Sequence, residues 1–381
     1  MDAVGSSAAL PFTIVQIDGR GLGVVAARDL KAGERLLREA PLVVAEMEGS
    51  SISHALLEGA VDPLSPEKRT RLFELSQNAE YGEIKNAAGI AQTNGIPFRW
   101  REKKFGAVYY TASRFNHSCA ANTSYKWAAE RSIDSGQVNG FLTVHATTRI
   151  TAGTELTFNY LGFAAPREQR RERLLESFGF TCTCAKCALS GAALRESEER
   201  LAALGDPASL SEELNALGAL GTLVNEEAAD VLAWLERRWA LLVRESPPDG
   251  VLAGTTEVLV QAFVEFCDHA SSRLAGLASR GRANEASGNA DGRRLRVSLE
   301  ELEARAHTYR HAAREWASRA RDVARLVAGD DSPSYVVYEA ALARCWPRGA
   351  HSSVPEDAPE DALPAVQLRE LWIEAGAATE W

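Results

Sequence analysis

The feature that most constrains this chain is a cluster of three cysteines in the stretch FTCTCAKC, residues 180–187. Cys182, Cys184 and Cys187 lie so close together that a disulfide between any two would leave the third over. Three thiolates at this spacing can instead surround one metal ion, and zinc prefers four ligands in a tetrahedron. The pattern predicts a metal site and an intracellular compartment, cytoplasmic or nuclear, where thiols stay reduced.

The fourth ligand is predicted to come from the stretch SRFNHSCAANTSYKW, residues 113–127. Cys119 is the one further cysteine in the first half of the chain, and a lone cysteine is more often free and buried. Because three ligands already lie together, we favour one closed, structural zinc site that includes Cys119. A cysteine that binds zinc cannot be a nucleophile, and His117 is only two residues away, which argues against a cysteine protease.

The charge is unevenly distributed along the 381 residues, a length that suits two or three domains. The formal net charge is −10, of which residues 1–190 contribute +2 and residues 191–381 contribute −12. An acidic second half argues against direct nucleic-acid binding. A solvated helical surface explains it more simply than a basic protein partner. We expect no membrane span, because no run approaches about 18 apolar residues, and we find no signal peptide.

Alternating segments separated by glycine turns predict short strands over residues 12–46 and 105–160. The turn stretch DLKAGER, residues 29–35, has a counterpart in RITAGTE, residues 149–155. Residues 50–92 are predicted to be helical, with a helix that starts at Pro66.

The chain beyond residue 190 is predicted to be helical. Its clearest helix begins at a capping box of Ser298 and Glu301 and ends before Gly329. One apolar stripe runs along this helix at alternating steps of three and four residues, and it is more typical of packing in a helical array than of partner binding. The stripe consists of Leu299, Leu302, Ala306, Tyr309, Ala313, Trp316, Ala320, Val323 and Val327.

Four motifs in order, GRGLGVVA, RFNHSC, ELTFNY and CTCAKC, resemble the SET-domain lysine methyltransferases over about residues 12–190. The resemblance is strongest to the branch with a split SET domain and a helical C-terminal region, which includes the SET-and-MYND proteins. It implies an α+β SET-domain fold of small β-sheets with a pseudoknot and a helical insertion, followed by an all-α C-terminal domain. The implied divisions are the N-terminal SET part 12–46, the helical insertion 47–92, the C-terminal SET part 93–163, the post-SET zinc segment 164–190 and the helical domain 191–381.

The sequence departs from the family pattern in two places. The insertion contains no cysteine, so it has no MYND zinc module, and any partner that such a module recruits is put in doubt. Ala121 stands where the family usually has proline, whereas Asn122 is retained. Neither departure affects the expected chemistry.

The resemblance implies S-adenosylmethionine as cofactor and a lysine of a protein, a histone or another, as methyl acceptor. The turn that contains Gly21 and Gly23 would bring the backbone close to the methionine part of the cofactor, and Arg20 would bind its carboxylate. The alternative is an ordinary turn with no ligand. A lone histidine is more often structural, and an aromatic ring is more often in the core than under an adenine. The implied cofactor-binding residues are Arg20, Gly21, Leu22, Gly23, Asn94, Ser113, Asn116, His117, Tyr160 and Phe180.

Tyr160 is the expected catalytic residue, because its hydroxyl could orient a neutral lysine amine toward the sulfonium carbon. Phe158 and Tyr125 are expected to line the lysine channel, and a phenylalanine there leaves room for more than one methyl addition. The alternatives are that Tyr160 caps a strand and that the other two rings pack in the core. The chain is expected to be a monomer. The competing function is a SET-fold interaction protein with weak catalysis, which would use its helical C-terminal half as a scaffold.

Overall fold

The structure is a computed structural model that describes residues 10–49, 51–52, 54–100, 103–129, 140–161, 165–204, 226–245 and 299–344. Predictions for the helical half that fall on 205–225, 246–298 and 345–381 lie outside the described residues. Within the described ranges, the first half is built mainly of strands and the second half of helices, as predicted.

Three small sheets form the first half of the chain, and one of them carries a crossing that brings distant segments together. The sheets have the orders β1-β2-β11-β8, β3-β10-β9 and β5-β4-β7-β6. All strand pairs are antiparallel except β8 with β11, which run parallel. The strands are β1 Phe12–Ile17, β2 Gly21–Ala26, β3 Arg35–Glu39, β4 Val43–Glu48, β5 Ser51–Ile52, β6 Ile96–Trp100, β7 Lys103–Val108, β8 Asn116–His117, β9 Thr123–Ala129, β10 Gly140–Ala146 and β11 Glu155–Phe158.

The two similar turn stretches of the sequence face each other in the fold. Leu30 and Ile150 form an isolated antiparallel bridge in which each backbone N–H donates to the other's carbonyl, at 2.8 and 3.1 Å. Each turn then places a glycine, Gly33 or Gly153, at a φ of +81°. This left-handed conformation costs a glycine little, since it has no Cβ. The repeated Ala-Gly chemistry therefore marks two turns that pair with each other.

Helices occupy residues 54–94, slightly later in the chain than the predicted insertion. The shift arises because β5 pairs back on β4 through a turn at Gly49. The helix predicted at Pro66 is present, and the Ser65 hydroxyl caps it by accepting from the Lys68 N–H at 3.3 Å. The helices here are α1 His54–Val61, α2 Pro66–Glu74 and α3 Ala87–Asn94, with a 3₁₀ turn at Ala79–Tyr81.

The described residues from 165 onward contain five helices, and the longest packs on the sheet of β3, β10 and β9. They are α4 Arg167–Phe178, α5 Gly191–Leu204, α6 Glu226–Glu245, α7 Leu299–Ala328 and α8 Pro333–Arg344. The predicted stripe is buried where its side chains are described, at Trp316, Ala320, Val323 and Val327. Helix α7 ends as predicted before Gly329, whose φ is +90°. Among the described residues, no helix combines the length and the apolar character needed to cross a membrane.

A buried charge cluster ties α6 to the cysteine-rich segment. The Lys186 ammonium lies 3.3 Å from a Glu245 carboxylate oxygen, and the two side chains are 8% and 2% exposed. Ser197 donates to the same carboxylate at 2.7 Å, and Arg200 pairs with it as well. Burial lowers the pKa of Lys186, while the charge of Glu245 opposes this shift. The cluster crosses the boundary predicted at residue 190, as does the hydrogen bond from the Arg167 N–H to Glu198.

We predict that Glu245→Gln lowers the free energy of unfolding by about 3–5 kcal/mol, because it leaves the Lys186 ammonium buried without its opposite charge. Urea unfolding of the full chain would measure the change. The matched control is Glu46→Gln, since the Glu46–Lys103 pair is 34% and 62% exposed and should contribute less than about 1 kcal/mol. Equal small losses in the two variants would contradict a stabilising role for the buried cluster.

Candidate functional site

Four buried sulfur atoms meet where the connection between β8 and β9 contacts the segment after α4. The Sγ atoms of Cys119, Cys182, Cys184 and Cys187 all lie within 4.8 Å of one another. Cys119 is thus brought to the later trio, as the sequence predicted. Hydrogen bonds among the thiols lower the pKa of Cys184 and Cys187, with Cys119 as the first cause, and raise the pKa of Cys119 itself.

A buried guanidinium supports the interpretation of this cluster as a metal site. Arg170 is 3% exposed and its Nη2 donates to Cys187 Sγ at 3.7 Å. Burying a positive charge beside four neutral thiols would be costly, whereas four thiolates around a divalent ion carry the negative charge that it needs. The donor set and its surroundings therefore fit a four-thiolate metal site.

The parallel pair of β8 and β11 sets the position of Tyr160. Its register aligns Thr157 with Asn116 and Phe158 with His117, so the chain just after β11 passes His117. The Tyr160 N–H donates to His117 Nδ1 at 3.1 Å, and the Tyr160 hydroxyl donates to the Phe115 carbonyl at 2.6 Å. This is the predicted approach of the Tyr160 segment to the Asn116 loop.

His117 connects this crossing to the sulfur cluster. Burial lowers its pKa to about 4, so the imidazole is neutral at physiological pH. Because Nδ1 accepts from the Tyr160 N–H, the ring proton belongs on Nε2, which lies 3.2 Å from Cys119 Sγ. The side chain therefore links a sulfur ligand to the backbone of Tyr160 while it also lines the adjacent cavity.

A cavity of about 480 Å³ opens beside this crossing and contains several of the predicted cofactor-binding residues. Arg20, Asn116, His117, Tyr160 and Phe180 line it. The turn at Asp18 and Gly19, and Thr181, Cys182 and Thr183 next to the sulfur cluster, complete the lining. It is large enough for a nucleoside-sized ligand and presents both charged and aromatic groups.

The glycine motif contributes differently from the expectation. Gly21, Leu22 and Gly23 form part of β2 and pair with β1, and they are not among the residues that line the larger cavity. Gly21 has a φ of +73°, which explains the glycine there. A Cβ on Gly23 would lie 2.8 Å from Asn116 Nδ2, so this glycine admits the Asn116 side chain.

A second, narrow cavity of about 60 Å³ is also lined by Tyr160. Tyr125 and Phe158, which were expected to line a lysine channel, both lie on this cavity, with their ring centroids 4.9 Å apart. Asn94 and Ser113 line this narrow cavity and not the larger one, where cofactor contacts were expected. Asn94 uses its amide nitrogen on the Ser76 and Ile90 carbonyls, while Ser113 Oγ is buried without a hydrogen-bond partner among the described residues.

Two aromatic residues of the narrow cavity were missed by the sequence analysis. Phe115 stacks on Phe158 at 4.5 Å between ring centroids, and Phe178 lies 5.0 Å from the Tyr160 ring. Phe115 could have been found from its place next to Asn116, whereas Phe178 comes from the end of α4 and carries no motif of its own. Of the described residues, Tyr160 alone lines both cavities.

Burial, and secondly the charge of Glu155, raise the pKa of Tyr160 above its ordinary value. The phenol is therefore protonated throughout the physiological range. It can donate a hydrogen bond and present an oxygen lone pair, but it is not available as an anionic base.

Comparison with known proteins agrees with this arrangement. Residues 21–161 match the family described as SET domain. The chain is 27% identical over 185 residues to histone-lysine N-methyltransferase set5 of Schizosaccharomyces pombe, which covers 49% of this chain and 53% of that protein. It is 39% identical over 88 residues to a SET and MYND domain-containing protein of Dictyostelium discoideum, covering 23% and 15% of the two chains.

A third relative is N-lysine methyltransferase SMYD2-A of Xenopus laevis, 29% identical over 121 residues, with 29% of this chain and 25% of that protein covered. The chain spans about half, or less, of the length of these three relatives. The matched residues include both strands of the parallel crossing and Tyr160. The ordered motifs, this crossing and the match show that residues 21–161 of the chain form a SET domain.

Proposed function

We propose that the chain is a protein-lysine N-methyltransferase that uses S-adenosylmethionine. The observation that carries the proposal is the position of Tyr160, which lines both a nucleoside-sized cavity and a narrow aromatic one. Methyl transfer requires two neighbouring sites, since the sulfur of the cofactor and the amine of the lysine must lie on opposite sides of the methyl carbon. The names of the relatives, as histone-lysine or N-lysine methyltransferases, support the same substrate class.

The larger cavity suits the cofactor by the chemistry of its lining. Arg20 offers a cation for a carboxylate, Asn116 an amide for an amino group, and Phe180 an aromatic face for a flat base. When bound, the cofactor would supply a methyl group on a positively charged sulfur. We therefore assign this cavity to the cofactor, with Asn94 and Ser113 assigned to the acceptor side.

The narrow cavity suits an uncharged lysine amine. A lysine has an ordinary pKa near 10.4 and must lose a proton before its nitrogen can attack a methyl carbon. The cavity is surrounded by four aromatic rings, and the loss of water in such an apolar site disfavours the charged ammonium. These rings belong to Phe115, Phe158, Phe178 and Tyr125. The Tyr160 hydroxyl would orient the amine toward the methyl group that the cofactor supplies, and the proton lost from the amine would leave to solvent. Phe158 and Phe178 add no hydroxyl, which leaves room for further methyl additions.

The sulfur cluster is assigned to one structural zinc. Such an ion would hold Cys119 to the segment of Cys182, Cys184 and Cys187, and with it the Phe180 wall of the cofactor cavity. Four reduced thiols suit an intracellular protein, cytoplasmic or nuclear. The monomeric state and the absence of nucleic-acid binding remain predictions from the sequence.

We predict that Tyr160→Phe lowers kcat for methyl transfer by about 100-fold or more, since the amine loses the group that orients it. Radiolabelled cofactor with peptide arrays and a whole-cell extract would measure transfer. The control is Tyr110→Phe, because the Tyr110 hydroxyl donates to Glu74 away from both cavities. If the unmodified chain transfers no methyl group and the cofactor does not raise its melting temperature, the interaction-protein alternative is supported instead.

We predict one zinc ion per folded chain, measured by mass spectrometry of the metal. Cys187→Ser should weaken zinc binding more than roughly 10–100-fold, which is the loss of metal affinity expected when a hydrogen-bond partner of a ligand is removed. It should also weaken cofactor binding. Cys345→Ser, which changes a cysteine outside the four-sulfur cluster, is the control. A folded chain without metal, with all four thiols open to alkylation, would rule out the zinc assignment.

A further inference from the structure

Glu155 lies behind the larger cavity and holds two of the residues that line it. It is the first residue of β11, the strand between β2 and β8. Its Oε1 accepts a hydrogen bond from Asn116 Nδ2 at 2.9 Å, and its Oε2 accepts one from Arg20 Nη1 at 3.3 Å. One carboxylate therefore connects an amide on β8 to a guanidinium just before β2, although Glu155 is not among the residues that line the cavity.

The carboxylate determines which end of the Asn116 amide faces the cavity. An ionised carboxylate only accepts hydrogen bonds, so the NH₂ group of Asn116 must point toward Glu155. The amide oxygen is then left for a ligand, and it can accept only from a donor such as an ammonium group. Without Glu155, the amide could turn and present its NH₂ group, which an ammonium cannot use.

Glu155 acts on Arg20 by charge. The two side chains are 23% and 33% exposed, so their attraction is partly screened and works mainly by orienting the guanidinium. The remaining N–H groups of the guanidinium can donate to an anion in the cavity. Gly23 makes the arrangement sterically possible, because a Cβ there would lie 2.8 Å from Asn116 Nδ2 and 3.2 Å from Glu155 Oε1.

We propose that Glu155 is a positioning residue that makes the larger cavity selective for the zwitterionic amino-acid end of its ligand. It presents the Asn116 oxygen to the ammonium group and the Arg20 guanidinium to the carboxylate. The inference rests on the proposed function, because it takes the ligand to be an adenosyl cofactor. It adds a residue that determines which adenosyl thioethers or sulfonium compounds are bound.

The test compares two probes that share the adenosyl thioether and differ in the amino-acid end. S-adenosylhomocysteine has this end, and 5′-methylthioadenosine lacks it. Calorimetry on the full chain would measure both dissociation constants. We expect Glu155→Ala to weaken S-adenosylhomocysteine binding about tenfold, the equivalent of one charge-assisted hydrogen bond, and to leave 5′-methylthioadenosine binding unchanged. In methyl transfer, the KM for cofactor should rise while kcat stays within about twofold.

Glu155→Gln provides a second, isosteric variant if the alanine variant folds poorly. Its amide oxygen can still accept from Asn116, but it has no charge for Arg20, so its loss of affinity should be smaller. Glu176→Ala is the control, since Glu176 lies on the exposed face of α4 beside Arg173. Equal weakening of both probes, or no weakening of either, would overturn the inference. An unmodified chain that binds neither probe would refute the proposed function instead.

Discussion

Four sulfur atoms that are far apart in sequence share one buried position, and the arrangement of the site depends on this meeting. Cys119 is 63 residues from Cys182, yet their sulfur atoms lie 4.0 Å apart. Thiolates in such a group repel one another unless a cation lies between them, and the buried Arg170 guanidinium contributes only one positive charge from the side. A central divalent ion would offset most of the remaining negative charge and fix the segment that carries Phe180.

The second constraint is a parallel pairing of only two residues in each strand. Such a short ladder has little stability of its own, and the hydrogen bonds of Tyr160 and His117 extend it. His117 then transmits the position of the sulfur cluster to the Tyr160 backbone. Tyr160 and the sulfur cluster are therefore linked through His117, so that the geometry of one limits the geometry of the other.

The sequence allowed prediction of features that depend on local chemistry. The Ser65 cap, the end of α7 at Gly329 and the paired turns at Gly33 and Gly153 follow from backbone preferences of single residues. The approach of Cys119 to the later cysteines was predictable because a metal site restricts the choice of partners. The channel residues Tyr125 and Phe158 followed from the resemblance, together with the alternation of side chains along a strand.

Features that arise from contacts between distant segments were not predictable in the same way. Phe178 reaches the narrow cavity because of where α4 ends. Asn94 lies there as the last residue of α3, and Ser113 lies there in the 3₁₀ turn Ala112–Arg114 that precedes β8. The role of Glu155 depends on its two neighbouring strands, which the pattern of residues along β11 does not reveal. Gly21, Leu22 and Gly23, which were expected to meet the cofactor, pair with β1 and are not among the residues that line the larger cavity.

The Lys186–Glu245 contact affects how this protein can be divided for experiments. A fragment that ends at residue 190 would contain Lys186 but lack Glu245, whose carboxylate neutralises it. The Lys186 ammonium would then have to become exposed to water or lose its proton. Either change would disturb the loop that forms one wall of the larger cavity. Shortened versions of this chain should accordingly retain α6, because its last residue, Glu245, serves as an internal counter-ion for Lys186 in the sulfur-rich loop.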